Sequence, residues 1–237
     1  MDAVALMNRV DTKYLISKDV AIKALTELTD NYRVLEIAEN RLFQYRTIYY
    51  DTEDHLMLNE HLRGKLNREK VRAREYVGTD ARFLEVKLKT NKGRTIKTRV
   101  KKVGDLGQLL PAEGVFLKGA SSFEPDQLQP VSEILFNRTT LVSKTGLERV
   151  TFDFNLSFSH DQEKKDLPDL VIVEMKRDTQ GASESEAASV LKELHAQPSS
   201  MSKYCIGMIL LNETNKYNRY KPKLLKLNKL SANGNIW

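Results

Sequence analysis

The chain has 237 residues, enough for one large domain or two small ones with a buried core. Lys and Arg number 38 against 32 Asp and Glu, a net +6 that suits a polyanionic partner and by itself excludes little. The single cysteine, Cys205, excludes an internal disulfide, and no apolar run approaches the roughly 20 residues that span a bilayer. The opening MDAVALMNRVDTKYL lacks a signal-peptide core, so a cytoplasmic location is expected.

In chain order, Ser17 can cap a helix over Lys18–Tyr32, with Ala21, Ala24, Leu25 and Leu28 as its apolar stripe. Arg41–Tyr50 reads as a strand, rich in aromatic and β-branched residues. Asp51-Thr52 then opens a helical segment, His55–Arg63, which Gly64 stops. Strands follow at Arg68–Tyr76, Arg82–Lys89, Arg94–Lys101 and Arg138–Ser143, with Asn91-Lys92-Gly93 as a hairpin turn. Between the last two lies Gly104–Phe136, read as a helical insertion with helix-like patches at Leu106–Leu110 and Pro130–Leu135. Glu148–Phe158 is a strand whose Val150, Phe152, Phe154, Leu156 and Phe158 share one face, and Leu170–Arg177 is another. Ser183-x-x-Glu186 is a capping box opening a helix with Ala187, Val190, Leu191 and Leu194 inward. Ser202–Leu211 reads as a last strand, and residues 212–237 as a basic tail.

Several of these strands place charges at every second position: Lys70, Arg72 and Arg74; Glu85, Lys87 and Lys89; Lys97, Arg99 and Lys101; Arg149 and Asp153; Glu174 and Lys176. A strand turns alternate side chains to opposite faces, so each has one charged face. Such a face usually meets solvent. Here it recurs with a positive bias, and the apolar helix stripes need a partner on the opposite faces. The expected fold is therefore α+β: an antiparallel eight-stranded tunnel barrel with a charged lumen and helices packed outside. A lumen of Lys and Arg suits a linear polyphosphate, because guanidinium forks match phosphate oxygens.

The ordered segments Arg9-Val-Asp-Thr-Lys13-Tyr14, Tyr49-Tyr50-Asp51-Thr52, Lys70-Val-Arg72-Ala-Arg74-Glu-Tyr76, Leu84-Glu-Val-Lys87, Asn137-Arg138, Glu148-Arg149-Val-Thr-Phe-Asp153, Val173-Glu174-Met-Lys176 and Ser202-Lys203-Tyr204 resemble a VTC domain. That is the catalytic domain of the vacuolar transporter chaperone polyphosphate polymerases, within the triphosphate tunnel metalloenzymes. The resemblance runs over residues 6–211 and implies one tunnel domain over 1–211, with the insertion at about 104–136 inside it. It implies transfer of the terminal phosphate of ATP to a polyphosphate chain with a divalent metal, manganese or else magnesium. By position, Arg72, Arg74, Lys87, Arg138, Arg149 and Lys203 are implied phosphate-binding residues, Lys13 a reaction-centre lysine and Glu174 the metal ligand. Arg72, Arg74 and Lys203 join Lys13 as the catalytic set.

The alternating faces add Arg9, Lys70, Arg99 and Lys176 to the phosphate grip. Glu85 and Asp153 sit where they could assist the metal, with a salt bridge as the equal alternative for Glu85. An inorganic triphosphatase of the same fold, or a non-catalytic polyanion-binding module, is the alternative function. Here the first strand reads Arg9-Val-Asp11-Thr-Lys13, where cyclase and triphosphatase relatives open with Glu-x-Glu-x-Lys. His55, His61, His160 and His195 share no ligand spacing and are expected at the surface. The basic tail lacks aromatic stacking positions beyond Tyr217 and Tyr220, so no nucleic-acid partner is expected. A membrane partner and the oligomeric state stay open.

Overall fold

A computed structural model describes residues 9–178, 185–214 and 216–231; the side chain of Arg9 is outside the described set. β1 (Arg9–Ser17) runs directly into α1 (Lys18–Glu27), because Ser17 stays extended and its hydroxyl accepts from Val20 N–H. β2 (Tyr32–Val34) and β3 (Phe43–Asp51) follow. α2 (Leu56–Arg63) ends at Gly64, whose φ of +73° favours glycine. β4 (Arg68–Tyr76), β5 (Arg82–Lys89) and β6 (Thr95–Lys101) form a meander, with the expected hairpin closed by Thr90 N–H on the Arg94 carbonyl. After α3 (Pro111–Ala120) come β7 (Gln129–Ser143), β8 (Glu148–His160), β9 (Glu163–Leu167) and β10 (Leu170–Asp178). α4 (Glu186–Glu193), α5 (Lys203–Leu210) and α6 (Lys221–Leu230) are the last helices of the described residues.

All ten strands join one antiparallel sheet in the order β1-β10-β8-β7-β3-β4-β5-β6, with β2 beside β7 and β9 beside β8. The expectation of an eight-stranded closed barrel is corrected on both counts. Two short side strands raise the number, and β1 and β6 remain edges with no hydrogen-bonded ladder between them. The sheet is curled nonetheless. Charges on strands far apart in its order, such as Lys87 on β5 and Glu174 on β10, influence each other directly. Along the β1 edge the chain substitutes a loop for a strand: Ser199 N–H donates to the Lys13 carbonyl at 2.7 Å, and Pro198 bridges Tyr14.

Three apolar cores follow from the alternation. α1 and α4 cover the outer face of β1, β10 and β8, over Val150, Phe152, Val171 and Val173. α3 covers the outer face of β3–β5, over Ile48, Val71, Ala73 and Leu84. The third core lies on the inner face, where α5 packs against Leu15, Tyr49, Ile134, Phe136, Phe158 and Ile172. One end of the sheet's hollow is therefore filled by a helix.

That helix replaces the strand expected at Ser202–Leu211. Ser202 accepts from Cys205 N–H as an N-cap, and every residue from Tyr204 to Leu210 is buried. Continuous burial erases the periodicity that separates a buried helix from a buried strand. The fit is close: a Cβ on Gly207 would come within 2.6 Å of Phe158 Cδ1. Phe158 reaches α5 because β8 is irregular. Asn155 sits at φ +50°, and the β7–β8 register shifts there, so Leu156 and Phe158 face inward while Val150 and Phe152 face outward. The expected common face of these residues is thereby corrected. The expected insertion also shrinks: Pro130–Leu135 is strand β7, with Pro130 at a register shift opposite Tyr50, and residues 106–110 form no helix. The capping-box residue Ser183 lies outside the described residues; Ser185 caps α4 through Ala188 N–H. α6 belongs to the body of the protein, since Leu224 and Leu227 join the core around α5.

Candidate functional site, a cation-lined trough

Register places the charged positions on the inner face in rows. On β4, β5 and β6 the rows read Arg68–Lys89–Thr95, Lys70–Lys87–Lys97, Arg72–Glu85–Arg99 and Arg74–Phe83–Lys101. Glu85 is the one acid of this wall. It is fully buried, with Arg72 Nε donating to Oε2 at 2.7 Å and Lys97 paired to Oε1. Burial alone would raise its pKa, but Arg72, Arg74 and Lys97 hold it at about 2. The remaining cations repel one another. Lys87 is pushed well below the usual lysine range, by Arg72 first and then by burial. Arg74 is lowered to about 10 by burial and by Arg72.

On the opposite wall the rows read Asp11–Lys176–Arg149, Lys13–Glu174–Thr151–Thr140 and Leu15–Ile172–Asp153–Arg138 across β1, β10, β8 and β7. Acids and bases alternate here. Arg138 grips Asp153 through two hydrogen bonds, Nε–Oδ1 at 2.5 Å and Nη2–Oδ2 at 2.7 Å. Lys203, at the start of α5, pairs with the same carboxylate. Burial would raise Asp153, but Lys203 and Arg138 hold it at about 2. Glu174 differs. Its Oε1 lies 3.0 Å from Lys176 Nζ, and among the described side chains no second cation reaches ion-pair distance. Burial would raise it, yet the fields of Lys13, Lys176 and Arg138 hold it far below the usual carboxylate range.

The structure thus brings Lys13, Arg72, Arg74, Lys87, Arg138, Lys176, Lys203 and Lys70 to one inner face, with Arg149 at the Lys176 row. Lys70 Nζ donates to Ser202 Oγ at 2.7 Å and Lys13 Nζ to the Met201 carbonyl at 3.3 Å, so the loop before α5 ties the two walls. Arg99 lies on exposed β6 with its guanidinium 4.4 Å from the Phe83 ring centroid. Arg9 opens β1 opposite Asp178.

Some roles were not visible in the sequence. Asp51 is fully buried and accepts from Met57 and Leu58 N–H and from the Tyr204 hydroxyl, so it caps α2 and anchors α5. Tyr49 stacks on Tyr204 at 4.9 Å and accepts from Arg72 Nη1. Burial would raise its pKa, but Arg72, Lys70 and Arg74 lower it to about 8. Lys97 follows from the hairpin at Asn91–Gly93, whose register sets it opposite Lys87.

The histidine expectation is corrected in part. His61 Nε2 donates to the Glu69 carbonyl while Nδ1 accepts from Arg68, and burial lowers its pKa to about 3. His160 pairs with Glu213. His195 is exposed.

These features define an α+β protein built on one curled antiparallel sheet with a cation-rich inner face. Residues 8–212 match the family model of the VTC domain, and the chain belongs to the VTC domain family. Membership supports a polyphosphate- or triphosphate-related function for the chain. No curated protein matches the chain in sequence. Among solved structures, the PH1819 protein from Pyrococcus horikoshii OT3 is similar with a TM-score of 0.49 and 14% identity, over 87% of this chain and 99% of that one. A putative adenylate cyclase from Bacillus halodurans gives 0.48 and 17%, over 83% and 94%. A putative adenylyl cyclase from Hippeastrum, described as having a dominant triphosphatase activity, gives 0.49 and 13%, over 85% and 94%.

Proposed function

We propose that this protein is a metal-dependent polyphosphate polymerase, which transfers the terminal phosphate of ATP to a polyphosphate chain lying in the trough. The observation that carries the reading is the unequal treatment of three of the inner-face acids. Glu85 and Asp153 are each held by two cations, whereas Glu174 has one among the described side chains, Lys176. Glu174 is ionised and half-buried in the fields of Lys13 and Lys176, which suits a carboxylate that can hold a divalent cation. Hard cations of this kind need few protein ligands when phosphate oxygens complete the shell. Held by Glu174, manganese or magnesium would offset the charge of the phosphate groups.

The residues of the chain do the remaining work. In this reading Lys70, Arg72, Arg74 and Lys87 hold the phosphates of donor and acceptor, with Arg138, Arg149, Lys176 and Lys203 on the facing wall. Lys13 neutralises charge at the transferred group. A terminal oxygen of the acceptor attacks the γ-phosphorus, the bond to the β-phosphate oxygen breaks, and ADP leaves with the electron pair. The chain grows by one phosphate, and no side chain acts as nucleophile.

Incubation with ATP and manganese, followed by separation of products by size, tests the reading. Polyphosphate longer than three phosphates supports it. Free phosphate without elongation assigns hydrolysis instead, and no turnover leaves a binding module.

A further inference from the structure

We propose that α6 and the cavity beside Lys13 form an outer binding ridge for polyphosphate, extending the trough for chains too long to be held inside it. The inference rests on the reading of the trough as a polyphosphate site. It starts from residues beyond the family match, which ends at 212. From 212 to 231 the chain carries Lys216, Arg219, Lys221, Lys223, Lys226 and Lys229 against one acid, Glu213. That acid is already paired, with His160 Nδ1 at 2.8 Å. Among the described residues none of these cations is in an ion pair.

The ridge is continuous with the trough. Lys226 Nζ donates to the Gln197 carbonyl, two residues before Ser199, whose N–H is bonded to the Lys13 carbonyl. Between Lys13 and Ser199–Met201 lies a cavity of about 390 Å³. Its single acid, Asp11, lies 3.7 Å from Lys176 Nζ. On the other side, Arg219 Nη1 bonds the Arg63 carbonyl, and Lys223 sits 4.5 Å above the ring of Tyr220 in the core that α5 shares with Leu62. Arg68, at the start of β4, lies near Tyr220 in this same corner of the molecule. A polyanion that reaches the cavity at Lys13 therefore has α6 beside it, through Lys226 and the Gln197–Ser199 loop.

Two other occupants fit less well. A membrane needs an apolar face, but Leu224 and Leu227 are already buried in the core, and Leu225 is left as the one exposed leucine of the helix. Single-stranded nucleic acid needs aromatic platforms, but Tyr220 is buried with Lys223 over its ring. A flexible chain of uniform charge asks only for spaced cations, which α6 supplies at Lys221 and Lys229 on its exposed side.

Titration calorimetry on the full chain, with tripolyphosphate and with long-chain inorganic polyphosphate as probes, tests the ridge. Lys216, Lys221 and Lys229 are exposed, so the triple variant K216E/K221E/K229E should keep the fold; a triple Ala variant and thermal melts check this. The expected result is a fall of about tenfold in the ratio of long-chain to tripolyphosphate affinity, with a shallower salt dependence for the long chain. A ratio unchanged in both folded variants overturns the ridge while leaving the trough intact. Loss of binding to anionic phospholipid vesicles with the ratio unchanged also overturns it, in favour of a membrane. Wild-type protein that binds neither probe would instead sink the reading of the trough.

Discussion

The two walls of the trough use charge in opposite ways. On the β7–β8–β10–β1 side, acids and bases meet in pairs: Asp153 is held by Arg138 and Lys203, and Glu174 by Lys176. On the β4–β5–β6 side one acid faces a field of cations, and Lys87 has no acid within ion-pair distance among the described residues. Paired buried charges hold a structure together and lose it when one partner goes. Unpaired like charges strain the fold and are relieved when a polyanion arrives. The paired wall is therefore expected to answer in stability, and the unpaired wall in affinity.

The largest effect is expected from Asp153→Asn. It leaves Arg138 and Lys203 buried without their counter-charge, at a cost of about 3–5 kcal/mol in chemical denaturation. A change below about 1 kcal/mol would mean that solvent screens the pair. Acid should erode the same interactions. Unfolded Glu85 and Asp153 protonate near 4.5 and 3.8, whereas the fold holds both at about 2. Their contribution is complete above pH 4.5 and drains as pH falls toward about 2, so the melting temperature should drop across that window.

Lys87→Met should do the reverse. Removing a repelled cation leaves stability unchanged or slightly raised, and tripolyphosphate affinity falls about tenfold. Phosphates should raise the lowered pKa of Lys87. Calorimetry in buffers of different ionisation enthalpy should then report more proton uptake on binding for the wild type than for Lys87→Met. Equal uptake in both would place the proton elsewhere.

What was legible in the sequence was the alternation. Lys70, Arg72 and Arg74 declared an inner face on β4, and the Asn91–Gly93 turn fixed the β5–β6 register that sets Lys87 beside Lys97. What was hidden depended on contacts distant in sequence or on lost periodicity. Lys203 meets Asp153 from 50 residues away, and α5 reads as a strand because all its residues from Tyr204 on are buried. The left-handed Asn155 reverses the facing of Leu156 and Phe158, which no two-residue repeat can foretell. Asp51 was part of a matching segment, yet its work as a helix cap emerged only when Met57, Leu58 and Tyr204 were seen converging on it.

In the proposed reading Glu174 holds the metal of a phosphotransfer site, and the phosphate grip is separate from it. The decisive variant is Glu174→Gln, assayed with γ-labelled ATP and manganese alongside tripolyphosphate calorimetry without metal. Label transfer into polyphosphate is expected to fall at least a hundredfold while metal-free binding changes less than about threefold. Transfer that persists near the wild-type rate would remove Glu174 from the metal site.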